Sequence, residues 1–172
     1  MRVIGLAGWS GAGKTTLLTR LIPELGRQGL SVSTLKHAHH AFDVDKPGKD
    51  SFLHREAGAR EVLVSSGLRW ALMHELRDEA EPDLPELLTK LSPVDLVIVE
   101  GYKRSAIPKI EVYRSANGKP PMHPEEPAIV AVASDTTFPD AGRPVLDLDD
   151  IPAIADAAMN LARPLAGFLS RA

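Results

Sequence analysis

Cysteine is absent from this 172-residue chain, so disulfide bonds, thiolate catalysis and cysteine-based zinc sites are all excluded. Aromatic residues make up only 5 % of the sequence and the Lys and Arg residues are dispersed, which disfavours a nucleic-acid-binding surface. No apolar run is long enough to cross a bilayer, and the first apolar stretch is too short for a secretory signal. We therefore expect a cytoplasmic protein that binds neither membrane nor nucleic acid.

Short apolar segments that alternate with helix-like segments predict an α/β fold. RVIGLA, DLVIVEG and AIVAVAS are nearly continuous apolar runs, as is typical of parallel strands whose two faces are both covered. The length of the chain favours one domain over residues 1–172. We expect three layers, with a mostly parallel central sheet flanked by helices, and a closing helix over residues 151–169.

Ligands of such folds bind beyond the carboxyl ends of the parallel strands. The loops after RVIGLA, SVSTLKH, DLVIVEG and AIVAVAS are therefore expected to meet at one edge of the sheet. These loops carry most of the polar residues to which a chemical role can be assigned. The first 60 residues also carry an excess of positive charge, which suits an anionic ligand.

The segment GWSGAGKT lies between a predicted strand and a predicted helix and matches the phosphate-loop pattern G-x-x-x-x-G-K-[ST]. Glycines let backbone N–H groups wrap a phosphate chain, and the N-terminus of the next helix adds positive charge. Lys14 is predicted to contact the β- and γ-phosphates, Thr15 to offer its hydroxyl to Mg²⁺, and Thr16 to bind the α-phosphate. The predicted nucleotide-binding residues of this loop are Gly8, Ser10, Gly11, Ala12, Gly13, Lys14, Thr15 and Thr16.

A phosphate-loop protein also needs an acidic residue near the metal, and Glu100 at the end of DLVIVEG is suited to ligate Mg²⁺ or hold a metal-bound water. The segment KHAHHAFDVDKPGKDS is a second polar cluster. In it, His37 is predicted to lie near the phosphates, and Asp45 and Asp50 to position water or metal. A zinc site on the histidines at positions 37, 39 and 40 remains open.

Recognition of the base depends on a weaker signal at Asp135, which follows the strand AIVAVAS. A carboxylate at this position can accept hydrogen bonds from two donors on one edge of guanine, whereas adenine offers no such pair. The sequence has no N-K-x-D motif. The alternative is that Asp135 only caps a turn before Thr136.

Four segments taken together resemble the MobB family, the adaptor proteins of molybdopterin-guanine dinucleotide biosynthesis. They are GWSGAGKTTLLTRLIPEL, KHAHHAFDVDKPGKDSFLHREAGA, DLVIVEGYK and IPKIEV. The resemblance implies a phosphate-loop fold like that of small GTPases, GTP binding with Mg²⁺, weak hydrolysis at most, and a homodimer. It also implies a partner, molybdopterin or the guanylyltransferase that joins GMP to it. The chain after Asp149 carries no motif.

Two other functions share the phosphate loop. A small-molecule or nucleotide kinase should carry a lid with arginines that clamp the transferred phosphate, for which Arg55, Arg60 and Arg104 are candidates. A GTP-dependent metallochaperone should carry more metal ligands than one histidine cluster. An adaptor needs only nucleotide binding and a partner surface. Since no arginine finger is evident, we expect slow hydrolysis by the isolated protein.

Overall fold

The computed structural model describes residues 1–38 and 42–169, and the chain packs as two compact units. The first unit comprises Met1–His37 and Leu84–Ala172, and the second comprises Ala38–Asp83. Each is described by itself below. The single domain over residues 1–172 stays a prediction.

The order of helices and strands follows the alternation seen in the sequence. In chain order the strands are β1 (Arg2–Ala7), β2 (Val32–Lys36), β3 (Glu61–Ser65), β4 (Trp70–His74), β5 (Leu96–Glu100), β6 (Lys109–Tyr113), β7 (Ile129–Ser134), β8 (Val145–Asp147) and β9 (Arg163–Pro164). The helices are α1 (Lys14–Arg27), α2 (Asp50–Glu56), α3 (Leu84–Thr89), α4 (Ile151–Leu161) and α5 (Leu165–Leu169), with a 3₁₀ turn at Ser115–Asn117. None of these helices is long and apolar enough to cross a membrane.

The first unit is built on a parallel sheet with the strand order β2-β5-β1-β6-β7-β8. Successive residues of β5 face opposite sides of this sheet, as the two-residue repeat of a strand requires. Leu96 and Ile98 pack in the cluster that contains α1 and α4, whereas Val97 and Val99 pack in the cluster that contains α3 and α5. Both faces are therefore covered, and the predicted three-layer α/β fold with a mostly parallel sheet is confirmed.

The parallel pairing also confirms that the loops after β1, β2, β5 and β7 open at one edge. In the register of the sheet, Glu100 at the end of β5 lies beside Leu6 of β1 and Lys36 of β2. The last residue of β1, Ala7, lies beside Glu111 of β6. The strand ends that flank the glycine-rich loop are therefore those of β5 and β6.

The closing helix predicted over residues 151–169 is wrong, because the chain leaves the helical conformation at Ala162. Proline has no backbone N–H and disfavours helical geometry in the residue before it, so Pro164 interrupts the helix. Residues Arg163 and Pro164 form a short antiparallel pairing with Arg2 and Val3 at the start of β1. The side chain of Arg2 donates to the carbonyl of Ala162, and α5 then begins at Leu165.

The second unit contains α2 and an antiparallel hairpin of β3 and β4, which forms a two-stranded sheet of its own. Val62 is buried, whereas Leu63, Trp70 and Leu72 are 61 %, 68 % and 48 % exposed. Leu63 and Leu72 are directly paired across the hairpin. One face of this small sheet therefore exposes three apolar side chains, beside the polar residues Glu61, Ser65 and His74.

We expect Gly8→Ala to destabilise the fold by about 1–3 kcal/mol, because Gly8 has a φ of 140° and an added Cβ would lie 2.5 Å from the carbonyl oxygen of Val112. Gly26→Ala is the matched control, since an added Cβ on this residue of α1 has no neighbour within 4 Å. Alanine is the better helix former, so the control should gain roughly 0.5–1 kcal/mol. Urea unfolding measures both, and equal stabilities for the two variants would contradict the close approach of Gly8 to β6.

Candidate nucleotide-binding site

The glycine-rich loop joins the buried end of β1 to the start of α1 through three glycines with positive φ. The φ angles are 140° at Gly8, 83° at Gly11 and 94° at Gly13. Gly13 is the N-cap of α1, where no side chain caps the helix and the first turn carries no acidic residue. The first N–H groups of α1 are therefore available to an anion, which the helix dipole also attracts.

Lys14 folds back over this loop. Its Nζ donates to the carbonyl oxygens of Gly8 at 2.8 Å and of Trp9 at 3.0 Å. An ammonium has three donors, so among the described residues one is left for a ligand. Burial lowers the pKa of Lys14, and the neighbouring cations Lys103 and Lys36 lower it further, whereas Glu100 opposes them. A bound anion would relieve this crowding of positive charge.

Glu100 lies at the same edge, and its side chain is only 13 % exposed. Lys36 Nζ is 3.8 Å from Oε2 of Glu100. The main-chain carbonyl of Glu100 accepts a hydrogen bond from the N–H of His37 at 2.9 Å. Gly101 has a φ of 98°, and a Cβ there would lie 2.7 Å from the Cβ of His37. The loops after β2 and β5 are therefore in close contact.

The remaining residues predicted in the loop differ in what they present. Thr15 and Thr16, the second and third residues of α1, are exposed. Ala12 is 2 % exposed, so its methyl group is part of the packing under the loop. The carbonyl of Ser10 accepts a hydrogen bond from Asn117. The structure thus leaves the two hydroxyls accessible to a ligand.

A second segment, residues 114–120, lies against the glycine-rich loop, and we call it the cover segment. Trp9 Nε1 donates to the carbonyl of Pro120 at 2.8 Å, and Asn117 Nδ2 donates to that of Ser10 at 3.3 Å. The guanidinium of Arg114 lies 3.6 Å, at Nε, from the position of a Cβ on Gly13. Sequence reasoning missed Arg114 and Asn117. The sequence feature that could have identified them is the predicted strand KIEVYR, whose carboxyl end lies at the same edge of the sheet.

Asp135 anchors this cover segment. Its Oδ1 accepts from the N–H of Ser115 at 2.8 Å, and its Oδ2 accepts from the Ser115 hydroxyl at 3.2 Å. The N–H of Thr136 is bonded to the hydroxyl of Ser134 instead, so Asp135 does not make that turn bond. Asp135 is exposed at the carboxyl edge. Its contact with guanine stays a prediction.

Asp45 and Asp50 belong to the second unit. Arg55 Nη2 lies 2.9 Å from an oxygen of Asp45 and 2.9 Å from one of Asp43, and Arg55 Nη1 lies 3.1 Å from Glu75. Hydrogen bonds to Asp45 and then to Glu75 raise the pKa of Arg55. Asp50 begins α2 and places a negative charge in its first turn. The catalytic roles of Asp45 and Asp50 stay predictions.

The histidines at positions 39 and 40 lie outside the described residues. Within residues 1–38 and 42–169, no group of three or more His, Cys, Asp and Glu side chains is arranged to hold a metal ion.

The chain is similar to known proteins over most of its length. Residues 3–135 match the model of the MobB family, described as molybdopterin guanine dinucleotide synthesis protein B. The molybdopterin-guanine dinucleotide biosynthesis adapter protein of Escherichia coli is 45 % identical over 90 % of this chain and 89 % of its own. The protein of that name from Haemophilus influenzae is 42 % identical over 92 % of this chain and 88 % of its own.

A solved structure agrees with this. The crystal structure of molybdopterin-guanine biosynthesis protein B superposes with a TM-score of 0.74 at 29 % identity, covering 92 % of this chain and 97 % of that one. A family match over more than half of the chain, relatives above 40 % identity and the same fold point the same way. The chain belongs to the MobB family of molybdopterin guanine dinucleotide synthesis proteins.

Proposed function

We propose that this protein is a GTP-binding adaptor of molybdenum-cofactor biosynthesis, which assists the attachment of GMP to molybdopterin and hydrolyses GTP weakly at most. The observation that carries the proposal is the glycine-rich loop with Lys14 folded over it, in a chain of the MobB family. The names of the relatives from Escherichia coli and Haemophilus influenzae support the pathway. Molybdopterin or its guanylyltransferase is the proposed partner, and the cytoplasm the proposed location.

In this proposal the main-chain N–H groups of the loop and the first turn of α1 bind the phosphates of GTP, and Lys14 adds a full positive charge. Thr15 and Glu100 would hold Mg²⁺, since a hydroxyl and a carboxylate are the hard oxygen donors that this ion prefers. When bound, Mg²⁺ neutralises part of the phosphate charge. Thr16 would bind the α-phosphate, and His37 beside Glu100 would add a donor near the phosphates.

Two of the three candidate arginines of a kinase lid are paired with acids of the second unit. A kinase clamp needs arginines free to contact a transferred phosphate, but Arg55 is bonded to three carboxylates in the second unit. Arg60 is paired with Glu79. For a metallochaperone, the described residues provide no cluster of metal ligands, and the histidines at positions 39 and 40 lie outside those residues.

We expect wild-type protein to bind GTP and GDP more tightly than ATP. We expect Lys14→Ala to lose about 10- to 100-fold in GTP affinity, since one hydrogen bond from a charged group contributes roughly 1.5–3 kcal/mol. Isothermal titration calorimetry measures this, and circular dichroism checks the fold. The control is Lys90→Ala, which removes an exposed lysine from outside the carboxyl edge. A Lys14→Ala variant that binds GTP as wild type does would refute phosphate binding by this loop.

The adaptor role is tested separately by measuring GTP turnover with and without a molybdopterin guanylyltransferase. Turnover that rises when the guanylyltransferase is added would support this role.

We expect Glu100→Gln to weaken GTP binding more in Mg²⁺ than in EDTA, because a neutral amide is a poorer ligand for this ion than a carboxylate. The affinities of both proteins are measured in both buffers. Glu100 also opposes the positive charge of Lys14 and Lys36, so its loss should leave metal-free binding unchanged or slightly tighter. An equal loss in the two buffers would remove Glu100 from the metal.

We expect Asp135→Asn to weaken GTP and improve XTP binding, because the new amide donor opposes a donor on guanine but suits the carbonyl of xanthine. A mismatch of this kind costs about 1–3 kcal/mol. Ser115→Ala is the control, since it removes the hydroxyl that donates to Asp135 but leaves the carboxylate. If both variants lose GTP and XTP alike, Asp135 acts only through the cover segment.

We propose further that two copies associate through the face of the β3–β4 hairpin that carries Leu63, Trp70 and Leu72. A two-stranded sheet is marginally stable alone, and exposed apolar patches of this kind mark interfaces. Leu63, Trp70 and Leu72 are exposed on the face that carries the direct Leu63–Leu72 pair. In a two-fold dimer, the hairpin of the second copy would cover this face with the same face of its own, as a two-fold interface requires.

We expect Leu72→Asp to convert a wild-type dimer to a monomer, because it would bury a carboxylate between the Leu63–Leu72 pairs of the two copies. Light scattering coupled to size-exclusion chromatography gives the mass of each. Ile22→Asp, at a partly exposed apolar residue of α1, is the control and should stay dimeric. A monomeric wild type at micromolar concentration argues against the interface.

A further inference from the structure

We propose that Arg114 binds the phosphate chain of the nucleotide from the Gly13 side of the loop, so that β6 supplies a cation in addition to Lys14. This inference rests on the proposed nucleotide binding and adds a phosphate-binding residue to the same site. Arg114 is not among the candidate arginines that the sequence indicated, which were Arg55, Arg60 and Arg104.

The position of the Arg114 guanidinium carries the inference. Its Nε and Nη2 lie 3.6 Å and 3.7 Å from where a Cβ would stand on Gly13, the residue that caps α1. Because Gly13 has no side chain, nothing of that residue separates the guanidinium from the backbone that forms the anion site. A guanidinium presents a planar fork of donors that matches phosphate oxygens.

Arg114 is also uncommitted. The side chain is half-buried, yet its guanidinium takes part in none of the hydrogen bonds or ion pairs found among the described residues. It interacts electrostatically with Asp149, but that carboxylate is 2.6 Å from Arg20 Nη1. A half-buried cation without a bonded acid is an unusual arrangement, which an anionic ligand at Gly13 would complete.

The cover segment that carries Arg114 is held at several points. Ser115 is bonded to Asp135 and Asn117 to Ser10, and Trp9 reaches Pro120. These bonds hold the backbone of the segment at Arg114 before any ligand arrives, so little backbone freedom is lost on binding.

Its two ends are tied together below the surface. Glu111 of β6 is 1 % exposed, and its two carboxylate oxygens accept from the N–H of Met122 at 2.6 Å and from the N–H of His123 at 2.9 Å. The Nδ1 of His123 is also 2.9 Å from the carboxylate. A buried carboxylate with this many partners holds together the two stretches of chain that flank the cover segment.

Positive charge lies on both sides of the glycine-rich loop. Lys36 and Lys103 lie near Lys14 on the side of Glu100, which offsets part of their charge. Arg114 comes from β6, on the other side of β1 in the sheet. A polyphosphate between these groups meets cations on both flanks, whereas an uncharged ligand would gain nothing from them.

The test compares wild type with Arg114→Gln, Arg114→Lys and the control Lys119→Gln, which removes an exposed cation from the same segment. Affinities for GTP and for inorganic tripolyphosphate are measured by calorimetry in Mg²⁺ buffer, with thermal unfolding as the check on the fold. We expect Arg114→Gln to weaken both ligands by about 10- to 100-fold, as the loss of a charged hydrogen-bonding group implies. Arg114→Lys should recover part of that loss, and Lys119→Gln should change either affinity less than about twofold.

Loss of GTP affinity with unchanged tripolyphosphate affinity would overturn the inference, since Arg114 would then contact the base. Unchanged affinity for both ligands would overturn it as well. In either case a wild type that binds GTP leaves the proposed function intact. A wild type that binds neither ligand refutes the proposed function and the role of Arg114 together. If Arg114→Gln does not fold, Arg114→Lys serves as the test. A tripolyphosphate affinity equal to that of wild type would then overturn the inference, because lysine lacks the fork of two donors that the contact requires.

Discussion

The parallel pairing of β1 with β5 on one side and β6 on the other is the constraint on which the first unit depends. It sends the glycine-rich loop out at the centre of the carboxyl edge, where Glu100 and Arg114 also emerge from the two neighbouring strands. Gly8 is the first residue after β1, and an added Cβ there would meet the carbonyl of Val112 in β6. Apolar residues bury the strands from both faces, whereas the loops at this edge carry the polar and charged groups.

The charge at this edge is uneven in a way that suits a polyphosphate. Lys14 is partly desolvated and lies near two other lysines, and Glu100 is the acid that offsets them. Such a site holds cations at a cost in free energy until an anion arrives. In the second unit the excess charge is negative, because Arg55 is paired with three carboxylates of that unit, Asp43, Asp45 and Glu75.

Local patterns predicted much of the fold and part of the site. Strands β1, β5 and β7 could be predicted because each is a nearly continuous apolar run. The loop could be predicted because glycines, lysine and threonine stand in fixed order before a helix. The closing helix was misread although Pro164 was visible, because the apolar repeat on both sides of it suggested one continuous element. The strand β9 formed there instead, and it was not predictable locally, because its partner is the start of β1.

By itself, the sequence determined which segments become strands, where the phosphate loop lies and which acid ends β5, since these follow from residue type and spacing within a few positions. Only the tertiary structure decided that β6 is the other neighbour of β1. That order brings Arg114 to Gly13 and Asn117 to Ser10, and it turns Asp135 toward Ser115. The physical reason is that strand order depends on how distant segments bury their faces together, and no short stretch of sequence records its neighbours in the sheet.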